Sequence, residues 1–540
     1  MKVSGVPFVR VGAVMGALMA AMMGAVLAWP ASAAAPSESC DTETLQAMAP
    51  ADTTVNFAAR EFGGGCRVHG YVTTRNPGPN KVLFVLSLPD NFNGRYLYLG
   101  VGGGAGALPV VSAELYRKGY AMAGSDGGSG AKSLFDFSFR SDPAKAMDFA
   151  WRGVHVSAAA TAQITRTYYK RNSIYRYISG CSGGGHMGLA NALRFGREDF
   201  DGFIVGATPL PGSLYLANMY RIAHHLQNHP EGWISPDVAR KADAAILARY
   251  DEADGARDGV ITDGRDIGDF DIGILRQIGF TPAQIATFDV IRKPHRLSGP
   301  GVQGDALQPG FSVTNVAAWT RYPLGTSPPP WPSTATTPPG EVMARGASPF
   351  HVMADTQIRA KHPQRYYAEI SDPAELTRLT LEAGELPADF GKLVQSGAKM
   401  VIYHGVNDEA MSYLETIKSY EELEAKYPDS ANWLRVFPVA GLMHCRGGIG
   451  PTDAPERLLE AVARWVEEGR APDTVVASRS AAPMSWIEQG RPETVVDSRT
   501  ARAKDWEREF RLCAEPARVV LKKPGLDPKD AENWICRVSQ

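Results

Sequence analysis

Three side chains far apart in this 540-residue chain are of the types that together turn a hydroxyl into a nucleophile. Ser182 lies in Gly180-Cys181-Ser182-Gly183-Gly184, after the apolar stretch Ile174 to Ile178 and before HMGLANALRF, which reads as a helix stopping at Gly196. A sharp strand-to-helix turn exposes the serine oxygen, only small residues tolerate the crowding there, and the N–H after the serine can face an oxyanion. Glycine is abundant (55 residues), so the bare G-x-S-x-G match is weak and the strand and helix around it carry the reading. A serine alone is a poor nucleophile, and this arrangement needs a carboxylate and then a histidine later in the chain. Asp408 follows the strand-like KMVIY in Tyr403-His404-Gly405-Val406-Asn407-Asp408, and His444 lies in the Gly-bounded loop Gly441-Leu442-Met443-His444-Cys445-Arg446-Gly447-Gly448. Either residue in isolation reads as structural or solvated; their order and strand-end placement favour Ser182 as nucleophile, Asp408 as orienting carboxylate and His444 as base.

Cys181 directly precedes the serine and Cys445 directly follows the histidine. If Ser182 and His444 meet, the two sulfurs come within disulfide range, whose Cα atoms lie within about 7 Å. The alternative is a pair of buried thiols that merely pack. An oxyanion hole also needs a donor from an early strand-to-loop turn. Gly100-Val101-Gly102-Gly103-Gly104-Ala105-Gly106 follows a strand, so Gly103, flanked by Gly102 and Gly104, is expected to act with Gly183. A nucleotide-phosphate loop is disfavoured, because G-x-G-x-x-G is out of register and no good helix follows. No HExxH or comparable cluster suggests a metallohydrolase, and the chemistry requires no organic cofactor.

These residues need a scaffold, and the hydropathy pattern supplies one. Lys81 to Leu88 and Arg95 to Leu99 read as buried strands, Asp148 to Arg171 as a helix, and Ile174 to Ile178 as a strand. The same rhythm returns at Lys399 to Tyr403 and Trp433 to Phe437, and Ala454 to Glu468 reads as an amphipathic helix. Alternating strands and helices predict a largely parallel sheet. Between Thr208 and Phe390 the texture changes to Pro-rich turns, an Asp/Gly-rich loop and the stretch Thr326 to Pro339, which cannot form a regular element. The expected architecture is an α/β-hydrolase core, residues 36–207 and 391–540, interrupted by a large inserted lid domain at 208–390. No internal repeats are visible.

Lys2 and Arg10 precede an uncharged run from Val11 to Trp29, then Pro30-Ala31-Ser32-Ala33-Ala34-Ala35. That pattern predicts a removable signal peptide over residues 1–35, with an uncleaved membrane anchor as the alternative. The mature protein is then expected to be secreted or periplasmic, in a compartment where disulfides persist, and without a membrane partner. Hydrophobic residues at 44% and charged residues at 21% are enough for a sizeable core. The formal net charge of −2, with scattered Lys and Arg, gives no footprint for nucleic acid. None of the six cysteines falls in a CxxC or a Cys/His metal spacing, so disulfides are favoured over zinc, with fifteen pairings formally open. The rival from another class is an exported binding protein that keeps the fold and holds an aromatic ligand without turnover.

The GVGGGAG loop, GCSGGGHMGLANALRFGREDFDG, GAKMVIYHGVNDEAMS and AGLMHCRGG together resemble the tannase and feruloyl esterase family, which includes the mono(2-hydroxyethyl) terephthalate hydrolases. The resemblance covers nearly the whole mature chain. It implies hydrolysis of small-molecule or plant-polymer esters of aromatic acids, with a disulfide between Cys181 and Cys445 and further bridges joining Cys40 to Cys66 and Cys513 to Cys536. It also implies a structural calcium ion in the lid, held by the side chains of Asp251, Asp254 and Asp258 and the carbonyls of Ala256 and Val260. Closely spaced carboxylates with Gly turns suit a hard cation that takes six to eight oxygens, whereas a solvated acidic turn is the plain reading. Two features depart from the family. No extra cysteine pair flanks this loop, and Gly124-Ser125-Asp126-Gly127-Gly128 replaces the family's Asp-Thr-Gly-His run.

Overall fold

Nine strands form one sheet in the computed structural model, which describes residues 39–61, 64–208, 214–302, 306–382, 389–479 and 507–538. The expected signal peptide, 1–35, lies outside the described residues. In chain order the strands are β1 (Thr53–Arg60), β2 (Cys66–Thr74), β3 (Asn80–Leu88), β4 (Arg95–Leu99), β5 (Ala121–Ser125), β6 (Tyr175–Cys181) and β7 (Gly202–Gly206). The short pair β8 (His295–Arg296) and β9 (Leu307–Gln308) precedes β10 (Lys399–Gly405) and β11 (Leu434–Val439). The spatial order is β1-β2-β3-β5-β4-β6-β7-β10-β11. The first three strands and β5 pair antiparallel, and every pair from β5 to β11 is parallel.

The pleat explains why the middle strands are apolar on both faces. Tyr96, Tyr98, Ile178, Phe203, Val205, Met400 and Ile402 join one hydrophobic cluster, whereas their neighbours Leu97, Leu99, Tyr177, Ile204, Val401 and Tyr403 join another. A period of two therefore feeds two cores, one on each side of the sheet. The first is covered by the helices Gly153–Tyr168 and Gly183–Phe195, the second by Ala454–Glu468. Two of the buried tyrosines keep their hydroxyls paired, Tyr96 with Thr161 at 2.7 Å and Tyr98 with Ser125 and Ser157 at 2.7 Å each.

The helix expected from Asp148 to Arg171 forms as a π-turn over Asp148–Arg152 followed by the α-helix Gly153–Tyr168. Asp148 is fully buried and its carboxylate holds Arg152, the Thr74 hydroxyl and the Asn80 amide, which fixes the first turn from outside the helix. At Gly124 to Gly128, Asp126 turns its carboxylate back onto the N–H groups of Leu83 (3.0 Å) and Gly128 (2.8 Å).

Between the adjacent parallel strands β7 and β10 the chain makes an excursion that adds no strand to the main sheet. It carries the helices Tyr215–Asn228, Pro236–Tyr250, Pro282–Arg292 and Pro349–Lys361, and the irregular stretch from Thr326 that ends where the helix Pro339–Ala344 begins. The helix Gly391–Ser396 already packs on the core, since a Cβ on Gly196 would lie 2.8 Å from the Lys392 carbonyl. The C-terminal region adds β12 (Thr474–Arg479) paired with β13 (Arg508–Cys513), and β14 (Ala517–Leu521) paired with β15 (Trp534–Val538). Among the described residues no helix is long and apolar enough to cross a membrane.

Candidate active site

Strand β6 delivers Cys181, and Ser182 then takes φ 58° and ψ −123°, a left-handed backbone that a side chain rarely adopts. The surroundings hold it there: the Ser182 N–H donates to Gly206 O (2.9 Å), and Ser182 O accepts from the His186 N–H and the Thr208 hydroxyl, each at 2.8 Å. The helix Gly183–Phe195 starts at once, so the serine stands at its N-terminus, partly exposed. Glycine is required beside it. A Cβ on Gly183 would meet the Gly103 carbonyl oxygen at 2.5 Å and its nitrogen at 2.8 Å. The expected oxyanion pair, Gly103 and Gly183, thus touches backbone to backbone. The Gly104 N–H is already committed to Leu134 O at 2.8 Å, and none of the hydrogen bonds among the described residues uses the Gly103 N–H.

Asp408 and His444 come from the ends of β10 and β11. Asp408 Oδ2 accepts from His444 Nδ1 at 2.8 Å, and Oδ1 accepts from the N–H groups of Ala410 and Met411 at 2.8 Å each. His404 Nε2 lies 3.2 Å from the same Oδ2. Burial pushes this carboxyl up, yet the His444 charge and the hydrogen bonds from both histidines outweigh it and hold Asp408 well below the usual carboxylate range. All six cysteines are paired: Cys40 with Cys66, Cys181 with Cys445, and Cys513 with Cys536. Cys181 and Cys445 have Cα atoms 5.7 Å apart, so Ser182 and His444 are each one 3.8 Å backbone step from a shared covalent link. Cys445 takes φ 63°, which makes it the second left-handed residue on that link.

Three neighbours escape a reading based on motifs. Glu409, next to Asp408 and fully buried, accepts the His444 backbone N–H at 3.1 Å and pairs with Arg321 at 3.0 Å. Burial pushes its carboxyl up, against the pull of Arg321. Tyr322, the next residue of the excursion, sets its ring edge-on to His444 at 5.2 Å. The adjacent acidic pair Asp408-Glu409 was the visible signal; Arg321 and Tyr322 carry none, because their partner lies 88 positions or more downstream in another element.

The acidic loop of the excursion is turned in on itself. Asp251 accepts from the Gly259 N–H at 2.9 Å, Asp254 from Ala256 and Thr262 at 3.0 Å each, and Asp258 from Val260 at 3.0 Å. Asp258 also pairs with the buried Arg508 of β13 at 2.8 Å. Burial, with the neighbouring Asp258 charge, pushes the Asp254 carboxyl up to about 7. Among the described residues no group of three or more His, Cys, Asp or Glu is gathered as a ready metal cluster.

A family model described as "Tannase and feruloyl esterase" matches residues 66–269 and 354–536. A protein named "Probable feruloyl esterase" from Arthroderma benhamiae is 28% identical over 439 residues, 76% of this chain and 78% of the relative. "Probable feruloyl esterase B" from Aspergillus clavatus is 26% identical over 504 residues, 87% of this chain and 86% of the relative. The crystal structure of feruloyl esterase B from Aspergillus oryzae superposes with a TM-score of 0.69 at 19% identity, covering 91% of this chain and 100% of that one. The tannin acyl hydrolase from Aspergillus niger does so with a TM-score of 0.66 at 18% identity, covering 93% and 95%. These superpositions establish a common fold, and the family match spans most of the sheet with the Ser182, Asp408 and His444 segments. The chain therefore belongs to the tannase and feruloyl esterase family and is a carboxylic ester hydrolase with an α/β-hydrolase core.

Proposed function

We propose that this protein is a serine esterase that releases aromatic acids from their esters through an acyl-enzyme. The observation that carries the reading is the Asp408 to His444 hydrogen bond of 2.8 Å on a loop bonded covalently to the residue preceding Ser182. His444 Nε2 takes the Ser182 proton as the hydroxyl oxygen attacks the ester carbonyl. The N–H groups of Gly103 and Gly183 stabilise the oxyanion, and His444 returns the proton to the departing alcohol. Water, deprotonated by the same imidazole, then attacks the acyl-enzyme and frees the acid and Ser182. Asp408 keeps the imidazole in the required tautomer and stabilises its charged form.

The relatives' names support hydroxycinnamate or gallate esters, with terephthalate monoesters in the same aromatic class. The excursion at 208–390 is proposed to act as a lid, supported by Arg321 and Tyr322, which it places against Glu409 and His444. Export is supported by the charged and apolar N-terminal pattern and by three disulfides. Calcium is proposed to neutralise the loop through Asp251, Asp254, Asp258 and the carbonyls of Ala256 and Val260, supplying rigidity and no reaction step. A charged carboxylate is costly for the buried Asp254, and that cost supports a cation there.

The test combines Ser182→Ala with a serine-directed phosphonate. The variant is expected to keep native circular dichroism and to lose at least about 10³-fold in kcat on methyl ferulate. The phosphonate is expected to form a single adduct on Ser182 in the wild type. Turnover by the variant at the wild-type rate, or an unlabelled serine, would remove the serine mechanism and leave the ligand-binding alternative.

A further inference from the structure

The segment Ser138–Ser141 places a cation beside the proposed oxyanion loop that nothing in the mechanism uses. Its neighbour Phe139 would lie 3.3 Å from a Cβ on Gly104, and the Leu134 carbonyl a few residues earlier accepts the Gly104 N–H at 2.8 Å. Arg140 itself stands over the Phe137 ring at 5.6 Å and the Phe149 ring at 5.8 Å. Phe149 in turn stacks at 6.5 Å on His186, which is one helical turn beyond Ser182. Arg140, Ser182, Gly183 and His186 all keep partial exposure.

Among the described residues Arg140 forms no ion pair, and its Nε is buried without a hydrogen-bond acceptor. The groups that interact electrostatically with it are the hydroxyls of Tyr215 and Tyr220 and the imidazole of His186, with no Asp or Glu among them. Burial, with the charges of Arg140 and Arg194, lowers His186 to about 4, so it is neutral at working pH. A guanidinium cannot shed its charge as a lysine can, and leaving one half-buried beside aromatic faces without an anion is costly. An anion brought by a ligand removes that cost, and the fork of N–H donors fits a carboxylate.

Building on the serine esterase reading, we infer that Arg140, beside the oxyanion loop, is a specificity residue that binds a free carboxylate of the ester substrate, away from the carbonyl under attack. The substrate class is therefore an ester that retains a carboxylate, on its acid part or its alcohol part. The residue takes no part in bond making, so it acts on the binding of charged substrates and leaves neutral ones alone.

The experiment compares esters that differ only in that charge. On the acid side the pair is the mono- and dimethyl esters of an aromatic dicarboxylic acid; on the alcohol side it is the feruloyl ester of a hydroxy acid and its methyl ester. Arg140→Met is expected to lower kcat/KM at least tenfold for the charged member of one pair, mainly through KM, and less than threefold for its neutral partner. Arg140→Lys is expected to recover part of the loss. The side on which the discrimination falls tells where the carboxylate sits. Equal losses on charged and neutral members would mean a structural role and overturn the inference, as would a wild type indifferent to the charge on both sides. A wild type that hydrolyses neither member through Ser182 would instead overturn the esterase reading. Should Arg140→Met fail to fold, the monoamide and diamide of the dicarboxylic acid serve as inhibitors of the wild type. The monoamide is expected to bind at least tenfold more tightly, and equal inhibition would sink the proposal.

Discussion

Glu409 shows how one carboxylate can serve its neighbours without touching the reaction. It anchors the His444 backbone at 3.1 Å and neutralises Arg321, so it links the imidazole loop to the excursion. Glu409→Gln keeps an acceptor for the N–H and removes the charge. The variant is expected to lose about tenfold in kcat, and Glu409→Ala about a hundredfold, because the latter also frees the loop. Removing a negative charge close to His444 makes the imidazolium easier to deprotonate. The acid limb of the kcat/KM profile is therefore expected to move to lower pH in both variants, and an unmoved limb with reduced kcat would assign Glu409 a purely structural role. At this scale the sequence was informative where chemistry demands a residue type at a fixed offset. Ser182 was read from G-x-S-x-G between a strand and a helix, Asp408 and His444 from their order and strand-end placement, and the Cys181 to Cys445 bridge, which the structure forms, from their places beside Ser182 and His444. Arg321, Tyr322 and Arg140 were illegible because their roles depend on which loops meet in space, and no local spacing encodes that.

The elements themselves were read most accurately where burial forces a period. Arg95–Leu99 and Ala454–Glu468 match the expected bounds, since every residue of the strand after Arg95 packs into one of two cores and the helix has one apolar stripe. Asp148 to Arg171, read as a helix, opens with a π-turn where the buried Asp148 answers to Thr74 and Asn80 on other strands, a detail that periodicity does not show. The disulfide joining the end of β6 to the β11 loop closes 264 positions. Changing Cys181 and Cys445 together to Ala is expected to cost about 2–5 kcal/mol in urea unfolding. It should also lower kcat/KM by one to two orders of magnitude while circular dichroism at low temperature stays native; full activity in the folded double variant would show that the bridge does not position the base. A second element-level device joins the helices Gly153–Tyr168 and Gly183–Phe195. His155 Nδ1 bonds Asp199 at 2.8 Å while its ring stacks on Phe195 at 3.9 Å. The Asp199 hydrogen bond raises the His155 pKa above its ordinary value near 6.5, against burial. A raised folded-state pKa contributes stability that is complete below about 6.5 and is lost as pH climbs through the folded value. His155→Phe keeps the stack and removes the charge, so it is expected to cost about 1 kcal/mol at pH 5.5 and less at pH 8.5. A penalty independent of pH would show that the protonated form contributes nothing.

Across the whole molecule, the acidic loop is where the excursion and the C-terminal region are fastened together. Arg508 of β13 pairs with Asp258, Arg265 bridges Asp263 and Glu515, and Arg518 reaches Asp266 at 2.7 Å. Arg508 and Asp258 have side chains only 2% and 6% exposed, so neither charge can be left alone without a large desolvation penalty. Arg508→Met strands Asp258 and is expected to cost about 3–5 kcal/mol in urea unfolding. This variant also separates the two sources of positive charge available to the loop. If calcium occupies it as proposed, the ion supplies part of the compensation that Arg508 gave, and the penalty shrinks in millimolar calcium relative to EGTA. In the wild type, EGTA should lower the melting temperature by several degrees with recovery on adding calcium. A penalty for Arg508→Met that is the same in calcium and in EGTA would mean that no ion faces Asp258, and that the arginine alone compensates its buried charge.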